Sequence, residues 1–340
     1  MTLSLDLTNI EDYIQLHVLP LFPDSTVADI SEITEHTYVN WIYRVELRSR
    51  IEQNQVVYLR QSRDRVKTRP DIPVDPKRVG FEVQILELIG SIIADTVPAV
   101  LFYDDANNIS VLTDVRQGAP LLVNELLAGR THQASGKDFG RKMGTIHGAT
   151  LGISDVRVRG DKKSNDEAIA FHLGMRLGPA REAFPSETTN LIADGQHGIC
   201  TLVCGDFASK NIFVDNDTIR FLDLERSWRG DPAFDPAFLF SHFLLEVPPV
   251  NVDDALAFIE EFMKSYNSIL ADYVTKEALA ELQNRIVRYV GVCILYRIDG
   301  LYLVVDAKED KDVWRDRAAA LIRDTEISSV KEAIAAALKS

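Results

Sequence analysis

The sequence predicts an α+β fold in two lobes. Residues 1–116 read as a small antiparallel sheet with one main helix, and residues 117–340 as a larger, mainly helical lobe. Three observations lead there. Strand-like text fills 29–61 and 99–115, the periodicity turns helical after "RQGAP" (116–120), and one stretch, Val203–Pro232, interrupts the helices with short apolar strands beside polar groups. A strand-rich part followed by a helix-rich part is the α+β pattern, and the crevice between two such lobes is a favoured ligand position.

In chain order, residues 9–19 suit a short helix. "ADISEIT", "NWIYRVELRS" and "NQVVYLRQS" follow as strands, the middle one setting Tyr43, Val45 and Leu47 on one face. "RIEQNQ" reads as their hairpin turn and "RDRVKTRPDIP" (63–73) as a solvated basic loop. Asp75 and Pro76 stand as N-cap and first residue of a helix whose stripe is Val79, Val83, Leu86 and Ile89. "AVLFYDDANNISVLTDV" supplies two more strands around an Asp-Asp-Ala-Asn-Asn turn. Beyond Gly118 and Pro120, "LLVNELLAG", "SGKDFGRKMGTIHGATLG" and "NDEAIAFHLGMRLG" are helical by period. So are five segments after Pro236, the longest running from Lys276 to Leu303.

Composition narrows the function. With 46% apolar and 26% charged residues, the 340-residue chain has an ordinary globular make-up. A net charge of −14 counts against non-specific binding to nucleic acid or anionic membrane, and permits a cationic, amine-bearing small molecule. Cys200, Cys204 and Cys293 have no zinc spacing and are odd in number, which suits a reducing cytoplasm. The acidic start lacks the basic region of a signal peptide, and no apolar run approaches the roughly 20 residues of a membrane span.

The chemistry concentrates in "VCGDFASKNIFVDNDTIRFLDLERSWRGDP". Unpaired charge is costly to bury, so acids beside apolar strands call for a cation or for solvated turns. If "IFVD" and "IRFLD" pair about the turn "NDT", Asn211 and Asp223 lie at one end, two hard oxygen ligands for an ion such as Mg²⁺. Asp206, five residues before Asn211, is then near enough to orient a substrate hydroxyl. An acid, four residues, an Asn and a later metal-binding Asp is the arrangement of kinases.

"CGDFASKNIFV" and "FLDLERSWRGDPAFDPAFL" resemble the aminoglycoside phosphotransferase family, the group that includes choline kinase and methylthioribose kinase. "GRKMGTIHGAT" is similar to the helix before its catalytic loop, "VGFEVQILELI" to its ion-pairing helix, and "YRIDG" at Tyr296–Gly300 to a helix-ending segment, so the resemblance spans roughly residues 30–325. It implies a bilobal protein-kinase-like fold and an ATP- and Mg²⁺-dependent phosphotransferase acting on a hydroxyl of a small molecule, with oligomeric state unspecified. By the same resemblance Asp206 is the catalytic acid, Asn211 and Asp223 hold the metal, and Glu225 assists the metal or the substrate. Arg60 and Glu82 form the phosphate-contacting pair, with Asn40 at the phosphates and Asp114 and Val115 at the adenine. Apart from the resemblance, Lys210, between Ser209 and Asn211, reads as a phosphate contact or as a snorkelling side chain.

Three positions depart from the family text. Arg60 stands where a Lys is usual, a planar fork in place of a compact ammonium. The turn "TEHTYVNWIY" has no Gly for close approach to phosphate. Cys204 replaces the loop His. These motivate a rival expectation, a kinase-fold nucleotide-binding or scaffold protein without transfer activity. Plain structural readings compete elsewhere: Asp231 as a turn residue, Asp235 as the N-cap of a helix at Pro236, His147 as a satisfied core histidine, Arg60 as a solvated edge-strand residue, and Trp228, Trp314 and Tyr296 as core aromatics rather than pocket lining. Asp299 is set down as a candidate for a substrate amine or hydroxyl. Sugar, nucleoside, amino alcohol and antibiotic all fit as acceptor.

Overall fold

The computed structural model describes residues 3–35, 37–51, 53–248, 251–300, 311–324, 327 and 329–339. The chain separates into two compact units, Met1–Gln117 and Gly118–Ser340. The first is a five-stranded antiparallel sheet of β1 (Ser25–Ile33), β2 (Trp41–Ser49), β3 (Gln55–Gln61), β4 (Val100–Asp104) and β5 (Ile109–Thr113), in the order β1-β2-β3-β5-β4. Tyr43, Val45 and Leu47 are buried as the alternation requires. They share a core with Val57, Leu59, Ile109 and Val111 and with Ile10, Tyr13 and Ile14 of α1 (Ile10–His17). The long helix of this unit, α2 (Arg78–Ile92), buries the expected stripe Val79, Val83, Leu86 and Ile89. It starts two residues later than Asp75 and Pro76 suggest, because the Asp75 carboxylate accepts from Lys77 N at 2.9 Å and closes the turn before the helix.

The basic loop is mostly exposed, as its composition implies, with two of its cations engaged. Arg63 lies 3.9 Å over the Trp41 ring, and Lys67 pairs with Glu32 at 2.7 Å. Arg60 sits on a central strand, not an edge strand, and is buried. Of the first hairpin turn Glu52, and of the turn before β2 His36, lie outside the described residues.

The second unit is helical around two small ribbons. Its helices are α3 (Leu122–Leu127), α4 (Ser135–Ala149), α5 (Asp155–Arg159), α6 (Lys162–Ala168), α7 (Gly174–Ala183), α8 (Pro185–His197), α9 (Phe234–Glu246), α10 (Val252–Leu270), α11 (Lys276–Asp299), α12 (Lys311–Arg323) and α13 (Val330–Ala337). A π-helical turn, Ile169–Leu173, joins α6 to α7. Sequence periodicity merges α6 and α7, misses α5 and α8, and carries α11 on to Leu303, whose last three residues lie outside the described residues. The ribbons are β6 (Thr201–Val203) with β9 (Trp228–Gly230) and β7 (Ile212–Asp215) with β8 (Thr218–Phe221).

What lets the helices close together is a row of small residues on α4. Gly136, Gly140, Gly144 and Gly148 recur every fourth residue and so share one face. A Cβ on Gly140 would stand 2.1 Å from Phe262 O of α10, and one on Gly136 would stand 2.6 Å from Phe258 O. The two backbones are therefore nearly in contact, and α4 arrives where it can hold the β7–β8 ribbon. Asp138 accepts from Ile219 N at 3.0 Å, and Lys142 donates to Ile219 O.

Gly140→Ala is expected to lower unfolding stability by ~1–3 kcal/mol, the range for overpacking a closed contact. Gly90→Ala on α2, where nothing lies within 4 Å of the added carbon, is expected to stabilise by ~0.5–1 kcal/mol. Urea denaturation of the two variants checks this, and equal effects would contradict it.

Candidate functional site

The ribbon β7–β8 pairs as the sequence requires, Ile212 with Phe221 through Asp215 with Thr218. Its turn is the two residues Asn216 and Asp217, with Asn216 at φ +49° in the left-handed conformation such tight hairpins use. Just outside the Ile212–Phe221 pair, Leu222 N donates to Asn211 O at 3.0 Å. Asn211 and Asp223 are thus brought to the same end of one ribbon. Asp223 itself has φ +66°, a conformation few non-glycine residues adopt and one that concentrates at functional positions.

Asp206 joins them through Asn211, whose Nδ2 donates to Asp206 O at 3.1 Å and to Asp206 Oδ2 at 3.3 Å. That orientation commits the amide nitrogen to the loop and leaves Oδ1 as a hard donor. Amide and carboxylate oxygens are the donor set Mg²⁺ prefers, with its remaining positions filled by water and phosphate. Asn211 and Asp223 therefore fit such an ion. Among the described residues no group of three or more His, Cys, Asp or Glu has a metal-binding arrangement, so the fit rests on an amide and a carboxylate.

The loop that carries Asp206 is anchored from below. Asp235, fully buried, accepts from Cys204 N and Gly205 N at 2.8 Å each. His147 Nε2 lies 3.2 Å from the same carboxylate, and its Nδ1 lies 2.8 Å from Tyr266 Oη. Asp235 is consequently not an N-cap. α9 begins one residue earlier, at Phe234, and the carboxylate turns back to the loop. His147 is a satisfied core histidine, as its apolar helix implies. Gly205 has φ +79° and a Cβ there would lie 2.3 Å from the Trp228 ring, so the loop needs glycine at that point. Burial pushes the Cys204 thiol well above its ordinary value, which leaves it inert.

Two arginines supply positive charge around Asp206. Arg176 of α7 donates from Nη2 to Asp206 Oδ1 at 2.8 Å, and Arg226 Nε lies 3.8 Å from Asp206 Oδ2. Burial works to raise the Asp206 carboxyl, but Arg226 and Arg176 outweigh it and hold the group below the ordinary range. Arg176 is sealed beneath Phe238, Phe234 and Tyr296, at 4.9, 5.5 and 5.9 Å. Glu225 is buried beside Arg159, which donates to its carbonyl at 2.8 Å and is itself lowered by burial to about 10, against the pull of the Glu225 charge. Behind this layer Glu246 accepts from Arg297 at 2.8 Å and lies 2.8 Å from His242 Nδ1, and His242 in turn faces Ser209 Oγ at 3.2 Å.

Sequence reasoning missed Arg176, Arg226, Arg159 and the His242–Glu246–Arg297 group. One signal was present. Arg176 shares the buried face of α7 with Leu177 and Ala180, and a cation on an apolar stripe needs a partner.

In the first unit the Arg60–Glu82 ion pair forms at 3.0 Å with both side chains buried. Asn40 is buried, and its Oδ1 accepts from Arg78 Nη2 at 2.6 Å and from Ser62 Oγ at 3.3 Å, so it braces its own turn. Asp114 Oδ1 accepts from Arg116 N at 2.8 Å, Val115 is buried, and Lys210 lies on the one-turn 3₁₀ helix before β7. Asp299 is paired with Nε and Nη2 of Arg315, at 2.9 and 2.6 Å. Trp228, Trp314 and Tyr296 are buried in the core. Asp231 does more than turn the chain, because Arg285 Nε donates to it at 2.8 Å.

No family model matches the sequence, and no curated protein does. Solved structures do. A choline/ethanolamine kinase family protein from Mesorhizobium loti is 16% identical with a TM-score of 0.53, over 98% of this chain and 100% of that one. Choline kinase from Cryptosporidium parvum is 11% identical with a TM-score of 0.55, over 98% and 94%. The amicoumacin kinase hAmiN, solved with AMP-PNP, Ca²⁺ and Ami, is 14% identical with a TM-score of 0.50, over 96% and 95%. The chain has the kinase-like fold of these proteins.

A pH dependence follows from two histidines, His242 buried and His172 half-buried. Burial, then Arg297, lowers His242 to about 4; burial, then Arg226 and Arg176, lowers His172 to about 3. Both fall from an ordinary value of 6.5. Below that value the unfolded chain binds the protons first, so stability is lost as pH falls toward the folded values, by up to ~1.4 kcal/mol per pH unit for each histidine. Urea midpoints at pH 7, 6 and 5 are expected to decline, and His242→Gln to flatten part of the slope. A wild-type midpoint constant over this window would contradict it.

Proposed function

We propose that the protein is an ATP- and Mg²⁺-dependent phosphotransferase that phosphorylates a hydroxyl of a small molecule, in the cytoplasm. The observation that carries this reading is the meeting of Asp206, Asn211 and Asp223 at one end of the β7–β8 ribbon, on a loop held by Asp235. The solved kinases with the same fold support it.

Asn211 and Asp223 hold the metal, with Glu225 supporting them. When bound, the metal neutralises charge on the transferred phosphoryl group. Asp206 orients the acceptor hydroxyl. Its low proton affinity suits that role, since phosphoryl transfer proceeds through a loose transition state that asks more for alignment than for a strong base. Arg60, oriented by Glu82, and Lys210 contact the nucleotide phosphates, and the backbone of Asp114 and Val115 receives the adenine. Asn40 stands at the phosphates, with its Oδ1 held by Arg78 and Ser62. A small-molecule acceptor fits a chain in which no described helix is long and apolar enough to cross a membrane and in which acidic charge discourages nucleic acid. Three free thiols suit a reducing compartment.

A second reading, a nucleotide-binding protein of this fold without transfer activity, is favoured by the Arg176–Asp206 pair, which occupies one carboxylate oxygen of the proposed catalytic group.

Thermal-shift titration with ATP separates the two. The enzyme reading expects a rise in Tm that depends on Mg²⁺ and is lost in Asp223→Ala. It also expects ATP consumption with a member of a hydroxylated-metabolite panel, lowered roughly 10²-fold or more in Asp206→Ala. An ATP shift indifferent to Mg²⁺ and to Asp223→Ala, with no turnover on the panel, would replace it with the second reading.

A further inference from the structure

The two guanidinium groups on Asp206 are held differently. Arg176 is sealed, 1% exposed, with a direct bond to Oδ1 and a second to His172 O at 3.1 Å. Arg226 approaches the other oxygen from the short turn Leu224–Ser227, closed by Ser227 N donating to Leu224 O at 3.1 Å. Its side chain is 27% exposed and its 3.8 Å contact is ionic, without hydrogen-bond geometry. Its charge is nonetheless the strongest of those that hold the Asp206 carboxyl low. The guanidinium feels Asp206 most strongly, then Asp223 and Glu225. One long, loosely tethered cation therefore neutralises the same carboxylates that the metal would.

We propose that Arg226 is a displaceable internal counter-ion that competes with the divalent cation for the Asp206 and Asp223 carboxylates. This rests on the metal-ligand part of the reading above. It makes metal binding weak in the absence of nucleotide. It also couples metal to nucleotide, because phosphate oxygens offer the displaced guanidinium the planar, bidentate partner that Arg favours. Arg176 does not share this role, since its aromatic cover and hydrogen bonds fix it in place.

The test is Mn²⁺ binding to the nucleotide-free protein, read by the EPR signal of free Mn²⁺. Arg226→Gln and Arg226→Met, the second keeping the apolar stem, are each expected to bind Mn²⁺ about tenfold more tightly than wild type. Arg226→Lys, which keeps the charge, is expected to stay within about twofold of it. Circular dichroism identifies which neutral variant is folded, and either suffices. Equal or weaker Mn²⁺ binding in the folded neutral variants overturns the proposal, as does no Mn²⁺ binding in any form. The outcome is separable from that of the kinase reading. Tighter Mn²⁺ binding in the variants of a protein with no phosphoryl transfer upholds the counter-ion and removes the enzyme. Transfer by the wild type with unchanged Mn²⁺ binding does the reverse.

Discussion

The site depends on one buried carboxylate. Asp235 accepts two backbone N–H groups from the loop that carries Asp206, and a third contact comes from His147. Hydrogen bonds to an ionised acceptor are roughly twice as strong as neutral ones, and a buried carboxylate without them would be strongly unfavourable. The anchor is itself anchored. Tyr266 on α10 meets His147 on α4, and those helices are close enough to do so only because α4 turns its glycine face to α10. Helix packing, a histidine and an acid thus form one chain of support that ends at a short loop.

Electrostatics then decides what the loop can do. Asp206, Glu225 and Glu246 are each buried beside a guanidinium, Arg176, Arg159 and Arg297 respectively. Breaking a buried pair costs far more than forming one gains, so Arg176 and Arg297 hold Asp206 and Glu246 in place and keep them ionised, while Arg159 holds the backbone carbonyl of Glu225. In the proposed reading a carboxylate fixed in this way orients the acceptor rather than deprotonating it, as phosphoryl transfer asks. Arg226 differs from Arg176, being partly exposed and 3.8 Å from the Asp206 carboxylate without a hydrogen bond to it.

Much of this was legible in the sequence because it is local. The β7–β8 ribbon follows from two short apolar runs around Asn216 and Asp217, and the placement of Asn211 and Asp223 follows from the ribbon. The alternation of β2 and the α2 stripe are local patterns too. The Arg60–Glu82 pair was legible only through the family resemblance. What escaped is long-range. Arg176 reaches Asp206 across 30 residues of chain and Asp235 reaches Gly205 across another 30, and no spacing rule joins them. Asp235 was misread because Asp before Pro at a helix start looks like a cap, while its carboxylate is drawn to the loop. Asp299 reads as an open carboxylate in the sequence, while in the fold Arg315 of α12 pairs with it. The π turn before α7 also left no periodic trace, because it adds one residue to a pattern that otherwise reads as a single helix.

The most direct measurement is a crystal structure grown with Mg²⁺ and a non-hydrolysable ATP analogue. The account predicts one Mg²⁺ within about 2.0–2.1 Å of both Asn211 Oδ1 and an Asp223 carboxylate oxygen, bridging to the nucleotide phosphates, with Asp206 left for the acceptor. A nucleotide bound with its metal away from both residues, or with no metal while Arg226 still sits on Asp206, would contradict it.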